Sequence, residues 1–400
     1  MKKVLSVILA IIVFLDVVAV SVLLIDRSTG GLGLGEDVRP IQNQQDDGSQ
    51  TTKPENLLSR VTCVAVGDNL IHDTVYEQAA ARSSGGYDFG YAYQNISHKI
   101  ESKDIAILNQ ETIISTEHNV SSYPQFNSPV ELGEEMLEIG FDVFNIATNH
   151  SVDCGEKGLI SAINYWKEKK AITTGAYLNE ADFQTIPTNE VNGIKVAYVG
   201  FTELTNGLNL PADTDVILMR SGDEERLKQR VMAADAIADF VIVNAHWGVE
   251  YTHEPNEMQK ELAAKLGEWG ADVIIGTHPH VIQPVEFIDN SDGSKTLVAY
   301  SLGNFISAQN TGPRMLGGML NFELVKNNTT GETTVENVVF EGTVTHYGYG
   351  CSNIRVYPLD EYTQDLASKH GVLSKTSAFS LDYLYGIVEE VVDVKFLIKR

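Results

Sequence analysis

Positive charge is what this chain has least of. Its 400 residues hold 29 Lys and Arg against 54 Asp and Glu, a formal charge of −25. A folded body so charged repels nucleic acid and anionic lipid headgroups, which excludes both as its partners. Cysteine is nearly as scarce. Cys63, Cys154 and Cys351 are too few and too scattered for a disulfide framework or a cysteine-rich zinc site. One disulfide stays open, and a leftover thiol reads as a small buried residue. No internal repeat is visible. What the chain does have is apolar content, 43%, enough for a sizeable core and too much for wholesale disorder. Its length predicts one large domain with appendages, or two domains.

The longest apolar run lies at the N-terminus. Lys2 and Lys3 precede Val4 to Ile25, a stretch that spans about 33 Å as a helix and so crosses a bilayer core. Asp16 sits in its middle. A central Asp costs about 3 kcal/mol, whereas each Val, Ile, Leu or Phe contributes roughly 0.3–0.6 kcal/mol, so insertion wins. The acid either pairs with a partner helix or is a tolerated lone charge. With the basic pair cytoplasmic, the body faces outward. A cleaved signal peptide ending near Ala19-Val20-Ser21 is the alternative, and the length of the run favours the anchor. The reading is therefore an anchor over residues 1–27 and a Gly-, Gln-, Asp- and Ser-rich tether over 28–56. A body over 57–350 and an extension over 351–400 follow.

In the body, short apolar runs alternate with helical segments. Strands are predicted at Val61–Val66, Asp104–Leu108, Phe141–Ala147, Ile194–Phe201, Phe240–Ala245 and Val273–Gly276. Helices are predicted at Pro129–Ile139, Glu156–Lys169, Asp223–Ala238 and Asn256–Trp269. Uninterrupted apolar strands between helices indicate an α/β body. After Leu297 the pattern turns strand-rich, with one helical segment near Leu381–Leu397.

The polar residues fall where such a sheet binds ligands. Asp68, Glu111, Asn149 with His150, His246, and His278 with His280 each follow a predicted strand. In an open α/β sheet those ends share one edge. Each element alone has a bland reading: a strand-end turn, a solvated acid, a helix cap or a core histidine. Only His278-Pro279-His280 is locally suggestive, two imidazoles about a stiff proline. Jointly the set is stronger, because the positions agree topologically. Carboxylates, imidazoles and an amide suit Mn, Fe or Zn as divalent ions, one or two of them. A metal pair bridged by an acid activates a shared water and clamps the oxygens of a displacement at phosphorus. The expected class is phosphoester hydrolysis.

Six runs carry a resemblance to a known family. They are Val66-Gly67-Asp68-Asn69-Leu70-Ile71-His72, Leu108-Asn109-Gln110-Glu111, Ala147 to Gly158, His246 to Tyr251, Gly270 to Glu286, and Tyr300-Ser301-Leu302-Gly303-Asn304-Phe305. In this order they resemble the capsule-synthesis CapA/PgsA family over about residues 60 to 310, a family associated with poly-γ-glutamate production and export. That family is itself similar to the calcineurin-like metallophosphoesterases. The resemblance implies a four-layer α/β/β/α sandwich. Residue by residue it implies that Asp68 and His280 hold a first metal, Glu111 bridges, and Asn149, His246 and His278 hold a second. His150 would be the general acid or a phosphate-orienting group. Asp153, Glu250, Glu286 and Asn304 lie in the matched runs, where acids orient the imidazoles. One departure stands out. Metallophosphoesterases usually carry Asp-x-His in the first block, whereas Leu70 stands here, with His72 as the nearest substitute.

The expectation is a membrane-anchored, single-pass protein of the bacterial envelope. It would handle an anionic polymer or a phosphoester beside membrane-bound synthase and export subunits. The alternatives are a non-catalytic scaffold of a polymer synthase and an envelope phosphodiesterase or phosphatase unrelated to polyglutamate.

Overall fold

The computed structural model describes residues 57–398, which form one compact unit. The expected anchor and tether lie outside the described residues. Among the described residues no helix is long and apolar enough to cross a membrane.

The chain begins with β1 (Leu58–Asn69), helices α1 (Asp73–Arg82), α2 (Gly90–Tyr93) and α3 (Ser97–Glu101), and β2 (Ile105–Asn109). Then come α4 (Val130–Glu138), β3 (Val143–Asn145), α5 (Gly155–Glu168) and β4 (Ile172–Thr174). A small ribbon pairs β5 (Ala176–Tyr177) with β8 (Ile217–Leu218). Between its strands lie α6 (Glu180–Gln184), β6 (Thr188–Val191) and β7 (Ile194–Thr202). The middle of the chain gives α7 (Glu224–Asp235), β9 (Phe240–His246), α8 (Glu257–Glu268) and β10 (Val273–Thr277). Strands β11 (Val285–Asp289), β12 (Lys295–Ala299), β13 (Asn304–Ile306), β14 (Leu316–Asn327), β15 (Thr333–His346) and β16 (Arg355–Pro358) follow. Two helices, α9 (Gln364–Ser368) and α10 (Leu381–Val391), complete the fold.

Two sheets result. The first runs β16-β15-β14-β1-β2-β3-β4, with β13 beside β1; the second runs β11-β12-β10-β9-β7-β6. Strands β1 to β4 are mutually parallel, as are β7, β9, β10 and β12. Side-chain alternation in the second sheet shows why it is buried on both faces. Val196, Tyr198, Ile242, Val273, Ile275 and Leu297 share a core with the first sheet. Their neighbours Ala197, Val199, Val243, Ile274 and Val298 pack with Leu227 and Val231 of α7 and Leu262 and Leu266 of α8. Period-two alternation with both faces apolar is what an unbroken apolar run becomes in a strand. The molecule is a mixed α/β sandwich. Helix α8 starts where it does because Asn256 and Gln259 form a reciprocal capping box.

Two features differ from the sequence expectations. The stretch after residue 351, read as an extension, supplies β16 as an edge strand of the first sheet, so it is built into the body. The disulfide left open does not form, since all three cysteines are free. Near the C-terminal elements His346 and His370 are both buried.

That histidine pair makes the C-terminal wrap acid-sensitive. The His370 ring accepts the Val372 amide at Nδ1 (2.9 Å) and donates from Nε2 to the Thr345 carbonyl (2.9 Å). The ring is therefore neutral, and a second proton would displace the amide. His346 meets the Tyr362 hydroxyl at 2.7 Å. Burial lowers both imidazoles from 6.5 to about 4. Their folded values lie below the unfolded one, so the unfolded chain takes up protons first and stability falls as pH drops from 6.5 through 4. Each ring costs on the order of 2 kcal/mol between about pH 7.5 and about pH 5. Urea midpoints should fall across that window, with amide exchange at residues 371–374 rising first. Unchanged exchange there would place the acid sensitivity elsewhere.

Candidate metal centre

Asp68 enters the site through an irregularity in β1. The pairings of β1 with β2 and with β13 both shift register there, and a bulge of this kind re-aims a side chain. Gly67 allows it. A Cβ at Gly67 would lie 1.9 Å from the Gly303 carbonyl oxygen, the same oxygen that accepts the Asp68 amide one residue on. Of the nine described residues with a left-handed backbone that are not glycine, three belong to this site: Tyr251 (φ 67°), His278 (φ 99°) and His280 (φ 59°). Such conformations cost on the order of 1–3 kcal/mol each and gather at functional sites.

The parallel strands deliver the site residues to one edge. Asp68 is fully buried. One of its oxygens accepts the Asn109 amide at 2.8 Å, and the other lies 3.0 Å from Nδ1 of His280. The His278 backbone N–H points at the same carboxylate from 3.3 Å. Nε2 of His280 then lies 3.6 Å from Glu111 and 4.0 Å from Glu250. The rings of His278 and His246 are 4.9 Å apart. His246 uses Nδ1 towards Thr277 (3.0 Å) and Nε2 towards the Asn149 side-chain oxygen (2.9 Å). Beyond Asn149, His150 holds Asp153 through Nδ1 at 2.7 Å, and Phe126 presses edge-on against its ring at 4.7 Å. Asp153 also accepts the Phe126 amide, so its carboxylate fixes the imidazole from a fixed position.

Burial sets the protonation. It raises Glu111 well above the usual carboxylate range, and the neighbouring Asp68 charge adds to this. Burial lowers His246 well below its ordinary value and His278 to about 4, the charge on His280 reinforcing both. For His280 burial acts in the same downward sense, but the Glu111 and Asp68 carboxylates outweigh it and raise the ring to about 9. The cluster thus joins buried acids to one protonated imidazole, His280, and to the neutral rings of His246 and His278.

A divalent cation fits these residues. Both carboxylate oxygens of Glu111 are buried without a hydrogen-bond partner, as are Nδ1 of His278 and Oδ1 of Asn304. Buried polar atoms are nearly always paired, so orphans grouped in one place call for an ion or water. Asp68, Glu111 and His280 each offer an atom within 4.8 Å of the others. Oxygen and imidazole donors in this mixture suit a borderline or hard ion.

The expected site residues are mostly brought together. Asp68, Glu111, Asn149, His150, Asp153, His246, His278 and His280 form one chain of contacts, with Glu250 at its half-exposed rim. Asn304 lies beneath it and donates to the His280 carbonyl. His72 lies close by: its Nδ1 faces the Ala308 amide, and its ring meets Phe126. Leu70 is packed, its amide bonded to the Ile306 carbonyl, and it offers no ligand atom where an imidazole is usual. Glu286 stands apart on β11, exposed, accepting from the Tyr300 hydroxyl.

Sequence reasoning gave no role to Asn109, Asn145 or Arg314. Asn145 donates to Asn109, which donates to Asp68, at 2.8 Å each. Three adjacent parallel strands thereby hold one carboxylate by a row of amides. Both asparagines close observed strands, β2 and β3, but the predicted strand runs on from Asn145 to Ala147, so only Asn109 stands at a predicted strand end.

Fold and site together define a mixed α/β sandwich with a buried acid–imidazole centre suited to a divalent cation. Residues 62–309 match the family described as bacterial capsule synthesis protein PGA_cap, and the chain belongs to that family. It is 30% identical to the capsule biosynthesis protein CapA of Bacillus anthracis over 325 residues, 79% of this chain and 76% of that protein. It is 32% identical to the PGA biosynthesis protein CapA of Bacillus subtilis (strain 168) over 195 residues, 48% of this chain. The latter match spans half the length of the relative. Among solved structures, the NAD nucleotidase NadN of Haemophilus influenzae is similar with a TM-score of 0.44 at 12% identity, over 85% of this chain and 57% of that one.

Proposed function

We propose that this chain is a metal-dependent hydrolase of capsule or poly-γ-glutamate production, with a calcineurin-like four-layer body. The observation that carries the hydrolytic reading is Glu111: a carboxylate with no exposure, no hydrogen-bond partner, and Asp68 and His280 beside it. Asp68, Glu111 and His280 would hold one ion of the Mn, Fe or Zn class. Asn149, His246 and His278 would complete a second site with Glu111 between. Bound there, such ions would polarise a phosphoryl oxygen and acidify water. The chain's own residues do the rest. Asp153 holds His150 by Nδ1, which leaves Nε2 to exchange a proton with the leaving group.

The N-terminal run would anchor the body at the outer face of the cell membrane through residues 1–27, with 28–56 as tether. Synthase or export subunits in that membrane are the natural neighbours, and the relatives' role in capsule biosynthesis supports this setting. One observation favours a second reading, a scaffold with a structural ion: Leu70 stands where an imidazole ligand is usual, which thins the first shell.

Metal analysis of the purified full-length protein, followed by phosphodiester hydrolysis with a nitrophenyl diester, separates the two. Turnover lost on chelation and restored by one of these ions supports the hydrolase. Stoichiometric metal with no turnover on mono- or diesters supports the scaffold.

A further inference from the structure

We infer that Arg314 is an anion-recognition residue. Its guanidinium grips a two-oxygen anionic group, carboxylate or phosphate, on the same ligand whose reacting group lies at the Asp68–Glu111–His280 cluster. The inference rests on reading that cluster as a metal centre acting on an anionic ligand, and it names the part of the ligand recognised.

Cations are rare in this chain, and most of the arginines among the described residues are committed. Arg60, Arg82, Arg220, Arg226 and Arg230 each donate to a carboxylate, amide or carbonyl. Arg314 makes no side-chain hydrogen bond and no ion pair among the described residues. Its guanidinium carbon lies 3.4 Å from the centre of the Tyr251 ring, and that ring is 5.9 Å from His280, tilted by 30°. Arg355 is likewise without such a bond, but it lies between the Tyr91 and Tyr357 rings at the far edge strand.

The platform is built into the metal turn at two points. The Tyr251 amide donates to the Pro279 carbonyl at 2.7 Å, between the two cluster histidines. The Asn304 side chain donates both to the His280 carbonyl (3.3 Å) and to the Arg314 carbonyl (3.1 Å). Tyr251 holds a left-handed backbone to do this, and the residue as a whole is 44% exposed. A guanidinium stacked on an aromatic face is held flat while its donor fork stays open. That fork matches a carboxylate or phosphate with two parallel bonds. Glu250 on the same rim works against diffuse attraction of anions, so recognition falls to the fork.

The test is calorimetric titration of the full-length protein in chelator, where no ion can bind the probe. The probes are inorganic phosphate and a short γ-linked glutamate oligomer; the proteins are wild type, Arg314→Gln and Arg314→Lys. The wild type should bind one probe, and Arg314→Gln should weaken that binding about ten-fold or more, the worth of one charge-assisted fork. Arg314→Lys should recover only part, because an ammonium carries the charge without the fork. Which probe responds tells a phosphate from a polymer carboxylate. Equal affinity in wild type and Arg314→Gln overturns the inference, and so does a wild type that binds neither probe. Arg314-dependent binding in a protein that hydrolyses no ester would sink the hydrolase reading and leave this one standing.

Discussion

Glu111→Gln should lose the divalent cation and yet be the more stable protein once chelator is added. The crossed result follows from burial. In the metal-free chain the Glu111 carboxylate is unpaired and raised well above its usual range, while His280 retains a proton to about pH 9. An amide cannot carry the charge that burial and Asp68 both oppose, and relief of one such buried group is worth about 1–3 kcal/mol. With metal present the order reverses. A cation at 100 times its dissociation constant stabilises the wild type by about 2.7 kcal/mol. The amide forfeits that, because replacing even an outer partner of a ligand lowers affinity about 10–100-fold. The pH dependence has a definite sign. His280 has a folded value above its unfolded 6.5, so its stabilisation is complete below 6.5 and is lost as pH rises through about 9. Metal-free wild type should therefore lose stability across that window, opposite in sense to the C-terminal histidines. Metal uptake near neutrality should release protons, giving a binding enthalpy that depends on the buffer. Thermal melts with and without chelator, beside metal analysis, measure all of this. Wild-type metal content in Glu111→Gln would remove Glu111 from the site.

The parts legible in the sequence were those with local patterns. Val61–Val66, Phe240–Ala245 and Val273–Gly276 are apolar runs bounded by polar residues, and they became β1, β9 and β10. The order of the site residues was legible for the same reason, since each follows such a run. What stayed hidden is short or depends on pairing. Strand β13 has three residues, and its place beside β1 is set by the bulge at Asp68 rather than by any period of its own. Helix α1 buries only Val75 and Ala79, too few for an apolar stripe. The amide row from Asn145 to Asn109 to Asp68 exists only because β1, β2 and β3 are neighbours in that order. Arg314 meets the Tyr251 ring from the tight turn at Gly312–Met315, a contact between segments that no local pattern marks.

His150→Ala and His278→Ala should part company, and the way they do tests the division of labour in the site. His278 offers a buried Nδ1 with no partner, next to His246 and His280. Deleting that ring removes a donor from a centre with a thin shell, so metal content and turnover should fall together. His150 is held differently. Its Nδ1 is taken by Asp153, its ring is wedged by Phe126, and the neighbouring Asn149, not His150, meets His246. Its loss should leave metal content near that of wild type and lower turnover about 10²–10⁴-fold, the range for a positioned proton donor. Asp153→Asn should reproduce part of that loss by freeing the tautomer, again without moving metal content. A leaving group that needs no proton, such as nitrophenolate, should shrink the His150→Ala defect while the His278→Ala defect persists. Were the two alanine variants to lose metal equally, His150 would belong among the ligands and the donor of the proton would have to be sought elsewhere on the rim, for instance at Tyr251, whose ring lies 5.9 Å from that of His280.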